Sequence, residues 1–385
     1  MAIVSVALST AVMIIALATV SGFQNGIKNK VLGTNGHVVV DNISNVEGSV
    51  PAPLSKQMES YAKDMKKLPH VASVNICLMR PCIAKGETEI EGMVAKGVDD
   101  HYDFTYFRNQ LVAGKLPDFK KDSNQILISS VTAARLNLKA GERFTGLFFK
   151  QDSFGNQKIK AMNPVIAGIF NTGLDEFDKT VVITSRRVLK RMVDGNETFT
   201  QFEIRVDDYT NAPSVAYEIQ QLLPAGKFNV NTAERFNRQI FDWLHLLDTN
   251  VIIILVLMIL VACINMSTTL LILITERTQM VGTLKSLGAK NKGITSIFLF
   301  HAIFIALIGL VIGNIIGIGF CYFQEKYQFM KLNVETYYVD HVLVEMQPWH
   351  IPAVNIGTLI ICVLVLLLPS LVINRLTPVK SMRFQ

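Results

Sequence analysis

The sequence predicts a membrane protein in which four apolar helices, one and then three, flank a large exported α+β domain lying between the first and second. Three observations point there. The composition is 50% hydrophobic and 18% charged, below the ~25% charged of ordinary soluble domains. The apolar residues are segregated, because residues 25–248 read as a soluble domain while most of the rest is uncharged. Four stretches, 2–20, 251–275, 294–320 and 351–373, match the roughly 20 residues a helix needs to cross the hydrocarbon core. The last three contain no Asp, Glu, Lys or Arg. A wholly soluble enzyme and a disordered chain are both excluded on this pattern.

The first stretch competes with a cleavable signal peptide. It lacks a positive n-region, its apolar part exceeds the usual 7–15 residues and no A-x-A site follows, so a retained span is expected. Orientation follows from Lys and Arg. The loop 276–293 holds Arg277, Lys285, Lys290 and Lys292 against Glu276, and the tail holds Arg375, Lys380 and Arg383. The loop 321–350 instead sets Lys326 and Lys331 against Glu325, Glu335, Asp340 and Glu345. The 276–293 loop and both termini are therefore expected inside, and 25–248 outside. Trp243 and Trp349 precede spans two and four at the expected outer interface, where Trp is enriched. The segments are thus helix 1–24, exported domain 25–248, helix 249–275, loop 276–293, helix 294–320, outer loop 321–350, helix 351–373 and tail 374–385.

Within the exported domain, Leu54, Met58, Tyr61, Met65 and Leu68 recur at helical spacing. Strands are expected at 38–41, 71–79, 92–98, 125–129, 144–149, 159–170, 180–184, 199–206 and 228–230, with helices at 131–138, 186–192 and 211–223. Strand–helix–strand sets at both ends suggest one mixed lobe, 36–110 with 195–235, carrying a mostly β insertion at 111–194. An amphipathic helix over 232–248 is expected to run into span two. Gly155-Asn156 between two strand-like runs reads as a hairpin tip. Its charged flanks fit either a solvated turn or an arm for a soluble partner.

The net charge of +6 comes without a Lys/Arg block, so no nucleic-acid partner is implied. Cys77 and Cys82 are the only cysteines of the exported domain, and their pairing is left open by spacing alone. There is no P-loop, H-E-x-x-H, G-x-S-x-G or Cys-x-x-Cys. The seven histidines are dispersed, and Glu87, Glu89 and Glu91 alternate as on a solvated strand edge. No catalytic constellation and no metal site is expected. No span carries an acid, which disfavours a proton- or sodium-driven carrier.

Gly309, Gly313 and Gly317 repeat every four residues, a spacing that lets helices approach closely in lipid, either within the chain or against a second subunit. Asn265 and Asn314 are polar groups expected to face other helices. The loop after span two reads Glu276-Arg277-Thr278-Gln279-Met280-Val281-Gly282-Thr283-Leu284-Lys285-Ser286-Leu287-Gly288-Ala289. Met280, Val281, Leu284 and Leu287 form an apolar stripe at helical spacing, and Gly288 can cap the helix. Such a helix can lie on the bilayer or in a partner's groove.

The Glu-Arg-x4-Gly-x-Leu-Lys-x-Leu-Gly-Ala run resembles the hallmark of ABC-transporter permease subunits of the lipoprotein-releasing (LolC/LolE), FtsX and MacB types. Gly22-Phe23-Gln24-Asn25-Gly26, Gly36-His37-Val38, Ala167-Gly168-Ile169-Phe170-x-Thr172-Gly173 with Glu176-Phe177-Asp178, and Ala262-Cys263-Ile264-Asn265-Met266 are similar to the lipoprotein-releasing branch. The resemblance implies a dimer of permeases, identical or paralogous, with separate ATPase subunits that bind ATP and Mg; this chain itself needs no cofactor. It implies that Glu276, Arg277, Met280, Val281, Leu284, Lys285, Leu287 and Gly288 couple to the ATPase. It implies that lipoprotein acyl chains sit between spans near Phe23, Ile254, Met258 and Asn265. The hairpin at 148–162, with Phe148, Phe149, Lys150, Phe154, Gly155, Asn156 and Lys158, would hold a periplasmic carrier. MacB-like efflux and FtsX-like mechanotransmission are the alternatives within the family. A sensor receptor or an anchored hydrolase is the alternative from outside it, and neither has its signalling domain or catalytic motif here.

Overall fold

The computed structural model describes residues 2–42, 56–86, 89–121, 124–151, 157–192, 200–333, 337 and 339–375. Its helices are α1 (Ala2–Asn35), α2 (Lys56–Met65), α3 (Thr105–Asn109), α4 (Ser130–Leu136), α5 (Asp175–Thr180), α6 (Arg186–Met192), α7 (Ala212–Leu222), α8 (Ala233–Phe236), α9 (Arg238–Glu276), α10 (Thr278–Ser286), α11 (Asn291–Tyr327) and α12 (His350–Arg375). Its strands are β1 (Val38–Asn42), β2 (Val71–Lys85), β3 (Ile90–Val98), β4 (Leu111–Gly114), β5 (Gln125–Ser129), β6 (Thr145–Gln151), β7 (Gln157–Met162), β8 (Val165–Phe170), β9 (Val181–Ser185), β10 (Gln201–Val206) and β11 (Phe228–Thr232). Two compact units result, one built mainly from Ile27–Phe241 and one from Met1–Gly26, Asp242–Asn333 and Val339–Gln385.

The first unit is a mixed sheet ordered β11-β1-β10-β2-β3-β9-β5-β8-β4, from which β6 and β7 branch at the end of β2. The pairs β3/β9 and β5/β8 are parallel and the others antiparallel. Strand β2 runs for 15 residues and serves two cores. Its first half pairs with β10 up to Cys77, and its second half pairs with β3 from Leu78. On the first side Val38, Val40, Phe202 and Ile204 pack with Met65 of α2 and Val215 and Ile219 of α7. On the second, Leu78, Ile126, Ile128, Phe144, Ile166 and Val182 pack with Val188 and Leu189 of α6. The division between the lobes thus falls inside β2, not near residue 110, because one long strand is shared by both.

The expected strand at 159–170 is two strands. Pro164 has no N–H for a ladder, and Asn163-Pro164 separates β7, which pairs with β6, from β8, which enters the main sheet. Cys77 and Cys82 are free, buried thiols. Five residues apart on one strand, they point to opposite faces and lie roughly 17 Å apart along the chain, far beyond disulfide reach. The amphipathic helix expected at 232–248 is interrupted. Thr232 caps the four-residue α8, Asn237 leaves helical geometry at φ −110°, ψ 43°, and α9 starts afresh at Arg238.

Asp41 on β1 has its pKa raised to about 6, first by burial and then by the nearby Glu203 carboxylate. A carboxylate raised in the folded state contributes stability that is complete below its unfolded pKa and is lost as pH climbs through the folded value. The β1 region is therefore expected to weaken between about pH 4 and 6. Asp41→Asn should flatten that dependence, read by hydrogen exchange over residues 38–42 of the full chain in micelles.

In the second unit, Ala2–Asn35, Arg238–Glu276 and Lys292–Tyr327 are long and apolar enough to cross a membrane. At 1.5 Å per residue, the 39 residues of α9 extend roughly 58 Å, well past the ~30 Å hydrocarbon core. In α12 the apolar stretch is His350–Val365. Val6 of α1, Met266, Leu270 and Ile274 of α9, Val281 of α10, Phe298 and Leu310 of α11 and Cys362 of α12 share one buried cluster.

Candidate coupling, hairpin and acyl-chain sites

Helix α10 is a nine-residue segment set between two long helices. Gly288 takes φ +91°, and two bonds close the helix end, Gly288 N to Lys285 O at 3.1 Å and Ala289 N to Leu284 O at 2.9 Å. This is a Schellman cap, which needs a left-handed residue where glycine stands. The apolar stripe expected of this helix is divided. Val281 is buried and Leu284 packs beside it in the cluster of α9 and α11. Met280 and Leu287 are exposed, Leu287 to 80%. Glu276 and Arg277 are also exposed, whereas Lys285 is half-buried. Val281 and Leu284 therefore hold the helix in place, and Met280 and Leu287 are what it presents outward.

The hairpin β6–β7 is paired from Gly146↔Met162 to Gln151↔Gln157. Phe148 is buried in the domain core, so it anchors the hairpin rather than facing a partner. The alternation of a strand turns Phe149 the other way, and it is exposed opposite Ile159, which is exposed too. Ile159, which the sequence reading did not single out, is recognisable only once the register is known. Lys150 stands directly opposite Lys158 in the ladder. Phe154, Gly155 and Asn156 lie outside the described residues.

The four residues expected around acyl chains differ in how far they are covered. Phe23 is buried, its ring 5.5 Å from Trp243 in an edge-on contact. Asn265 Nδ2 donates to Ser5 Oγ at 2.5 Å, tying α9 to α1. Met258 packs against Met13, Ile14 and Val354. Asn265 is nonetheless exposed, and so is Ile254, on an uncovered apolar side of α9 that includes Ile253, Leu257, Leu260 and Ile264. Phe23 and Met258 thus pack within the chain's own helices, whereas Ile254 and Asn265 are open to the outside.

Gly309, Gly313 and Gly317 are packed within the chain, against α1. A Cβ at Gly309 would sit 2.8 Å from Val6, one at Gly313 2.6 Å from the Ala7 carbonyl, and one at Gly317 3.2 Å from Ile14. Asn314 Nδ2 donates to Asn355 Oδ1 at 3.1 Å, linking α11 to α12. The Gly22-Phe23-Gln24-Asn25-Gly26 run also has a steric reason. A Cβ at Gly22 would lie 2.7 Å from Glu345 N, and one at Gly26 2.2 Å from the Leu343 side chain. Asn25 Nδ2 donates to Glu345 Oε2 at 2.9 Å across that contact.

The motif ending in Asp178 is a fold device. Asp178 is buried and accepts from Thr172 N and Gly173 N, both at 3.0 Å, and from Thr172 Oγ1 at 2.8 Å. Burial nonetheless raises its pKa, outweighing those hydrogen bonds. A Cβ at Gly168 would stand 2.5 Å from Lys115 O. Among the described residues, no three His, Cys, Asp or Glu side chains group as metal ligands.

These features define a multi-pass membrane protein with a large α+β domain. Residues 1–222 match the family model of the MacB-like periplasmic core domain, and residues 252–378 that of the FtsX-like permease C-terminal region. The chain belongs to this family of FtsX/MacB-type ABC-transporter permeases. It is similar to the lipoprotein-releasing system transmembrane protein LolC of Xylella fastidiosa, 22% identical over 395 residues that cover 100% of this chain and 93% of that protein. It is likewise similar to LolE of Haemophilus influenzae, 20% identical over 388 residues that cover 98% of this chain and 92% of the relative. A similar solved structure is the periplasmic region of MacB from Actinobacillus actinomycetemcomitans, with a TM-score of 0.38 and 14% identity, covering 55% of this chain and 95% of that one.

Proposed function

We propose that this chain is the permease subunit of an ATP-driven lipoprotein-releasing transporter. In this reading α12 is a fourth span, the N-terminus and the loop holding α10 are cytoplasmic, and a separate ATPase binds α10. Two permeases, identical or paralogous, pass a lipoprotein to a periplasmic carrier, with Phe149, Ile159 and the Lys150–Lys158 pair on the hairpin receiving that carrier. Lipid-modified substrate meets the uncovered side of α9 around Ile254. The relatives named LolC and LolE support this assignment because they align over essentially the whole chain. MacB-like efflux or FtsX-like mechanotransmission would use the same α10 device with a different cargo.

The observation that carries the coupling step is the exposure of Leu287 and Met280 on a capped helix whose other apolar residues are already used. Two large apolar side chains held out on a rigid turn are suited to a partner's groove. Leu287→Asp should cut recovery of the ATPase with the purified complex at least about tenfold, the scale of one buried apolar anchor, and leave the permease folded. Leu284→Asp should instead destabilise the membrane unit itself. Undiminished ATPase recovery with Leu287→Asp and Met280→Asp combined would remove α10 as the docking element. A photocrosslinker at Ile254 that captures an acylated protein in native membranes would identify the cargo, and capture of small molecules only would favour the efflux reading.

A further inference from the structure

Within helices α1, α11 and α12, three buried polar atoms have no hydrogen-bond partner among the described residues: Thr10 Oγ1, Asn314 Oδ1 and Thr358 Oγ1. Thr10 is 0% and Thr358 2% exposed. A threonine inside a helix can satisfy its hydroxyl on the carbonyl four residues back, as Thr268, Thr269 and Thr283 do. Thr10 and Thr358 do not. Asn314 donates Nδ2 to Asn355 Oδ1 and leaves its own oxygen unmatched. Bare polar groups are costly where hydrocarbon takes the place of water.

The packing brings the three atoms to one level. Gly309 meets Val6, Gly313 meets Thr10 and Gly317 meets Ile14, so α1 and α11 run parallel. Asn314 follows Gly313 directly. Helix α12 runs the other way, because Val354 clusters with Met13 and Ile14 while Cys362 clusters with Val6 and Leu310. Thr358 lies midway between Val354 and Cys362, just as Thr10 lies midway between Ile14 and Val6. Thr358 also shares a face of α12 with Asn355, the partner of Asn314, one turn away.

From these observations we infer that the seam of α1, α11 and α12 is a binding site for a water molecule, which bridges Thr10, Asn314 and Thr358. The unmatched set is one carbonyl oxygen, which only accepts, and two hydroxyls, which donate and accept. Water supplies both roles at once, and a buried water typically makes about three hydrogen bonds. A metal cation would find oxygens there but no counter-charge, since 2–20, 294–320 and 351–373 contain no acidic residue. An unpaired charge in hydrocarbon is expensive. The site lies inside the chain's own helix packing and is independent of the cargo and of α10.

The test is NMR magnetisation transfer from water to threonine methyl groups, on the full chain in lipid nanodiscs. Transfer should reach the methyls of Thr10 and Thr358. Thr358→Val, which keeps the shape and removes the hydroxyl, should weaken transfer at Thr10, and Thr358→Ser should retain it. In unfolding by SDS, Thr10→Val and Thr358→Val should each lower the folding equilibrium constant about fivefold. The double variant should lose less than the product of the two, because both act on one bridge. A dry seam reverses the sign, since each valine then removes a bare hydroxyl and raises stability. Valine variants of raised stability, or no transfer to either methyl in the unaltered chain, would overturn the inference.

Discussion

Lys96→Met is expected to cost the periplasmic domain about 3–5 kcal/mol, the range for removing one partner of a buried ion pair. Lys96 of β3 is 0% and Glu203 of β10 2% exposed, with Nζ 2.7 Å from Oε1. Burial by itself would lower the lysine's pKa, but the Glu203 carboxylate outweighs it and holds the ammonium charged. Methionine keeps the length of the stem and deletes the charge, so Glu203 keeps Gln201 Nε2, at 2.8 Å, and the Cys77 thiol as neutral partners but loses its counter-charge. Lys96 also donates to Thr34 O at 2.8 Å, and Arg205 donates to Gly33 O at 3.1 Å. Two cations thus meet the open carbonyls at the C-terminal end of α1, where positive charge is favourable. Hydrogen exchange on the full chain in micelles should therefore quicken at residues 30–36 as well as along β3 and β10. The double variant Lys96→Met/Glu203→Leu should recover most of the loss, because a buried pair replaced by apolar groups is often neutral. Slow exchange retained in Lys96→Met alone would show that the pair does not hold this joint.

Why the sequence concealed that joint is a matter of geometry. Within Glu91-Gly92-Met93-Val94-Ala95-Lys96 a lysine reads as the solvent side of a strand, and only the arrival of β10 beyond β2 encloses it. The long apolar helices were legible because uncharged runs of that length have few other uses. The Schellman cap was legible because Gly288 closes an amphipathic run. Strand β4, with three of its four residues exposed, and the short helices α3 and α5 were not, since neither offers enough periods to count. The same limit explains the candidate sites. Periodicity placed Met280, Val281, Leu284 and Leu287 on one stripe, but which half of it is covered depends on α9 and α11. The hairpin was visible from its turn residues, whereas the inward turn of Phe148 and the pairing of Phe149 with Ile159 required the register.

Gly313→Ala should destabilise the membrane unit more than alanine at any other glycine of α11. Helices in lipid lack a hydrophobic drive toward one another and depend on close packing. At Gly313 the added methyl would meet backbone, the Ala7 carbonyl at 2.6 Å, together with Thr10 Cβ at 2.7 Å. Backbone cannot rotate away as a side chain can, so α1 and α11 must separate and strip contacts from their whole seam. The expected cost is about 1–3 kcal/mol, the range for overpacking a well-filled interior. Gly309→Ala meets mainly the Val6 side chain at 2.8 Å, and Gly317→Ala meets Ile14 and Ala11 at 3.2–3.3 Å; both should cost less, in that order. Gly319 has nothing within 4 Å, so alanine there should be neutral or gain up to about 1 kcal/mol from helix propensity. Unfolding by SDS in mixed micelles should rank the four variants 313, 309, 317 and 319 from least to most stable. A ranking in which Gly319→Ala is as damaging as Gly313→Ala would mean that general helix propensity or lipid contact, and not the α1 seam, is why glycine recurs along this helix.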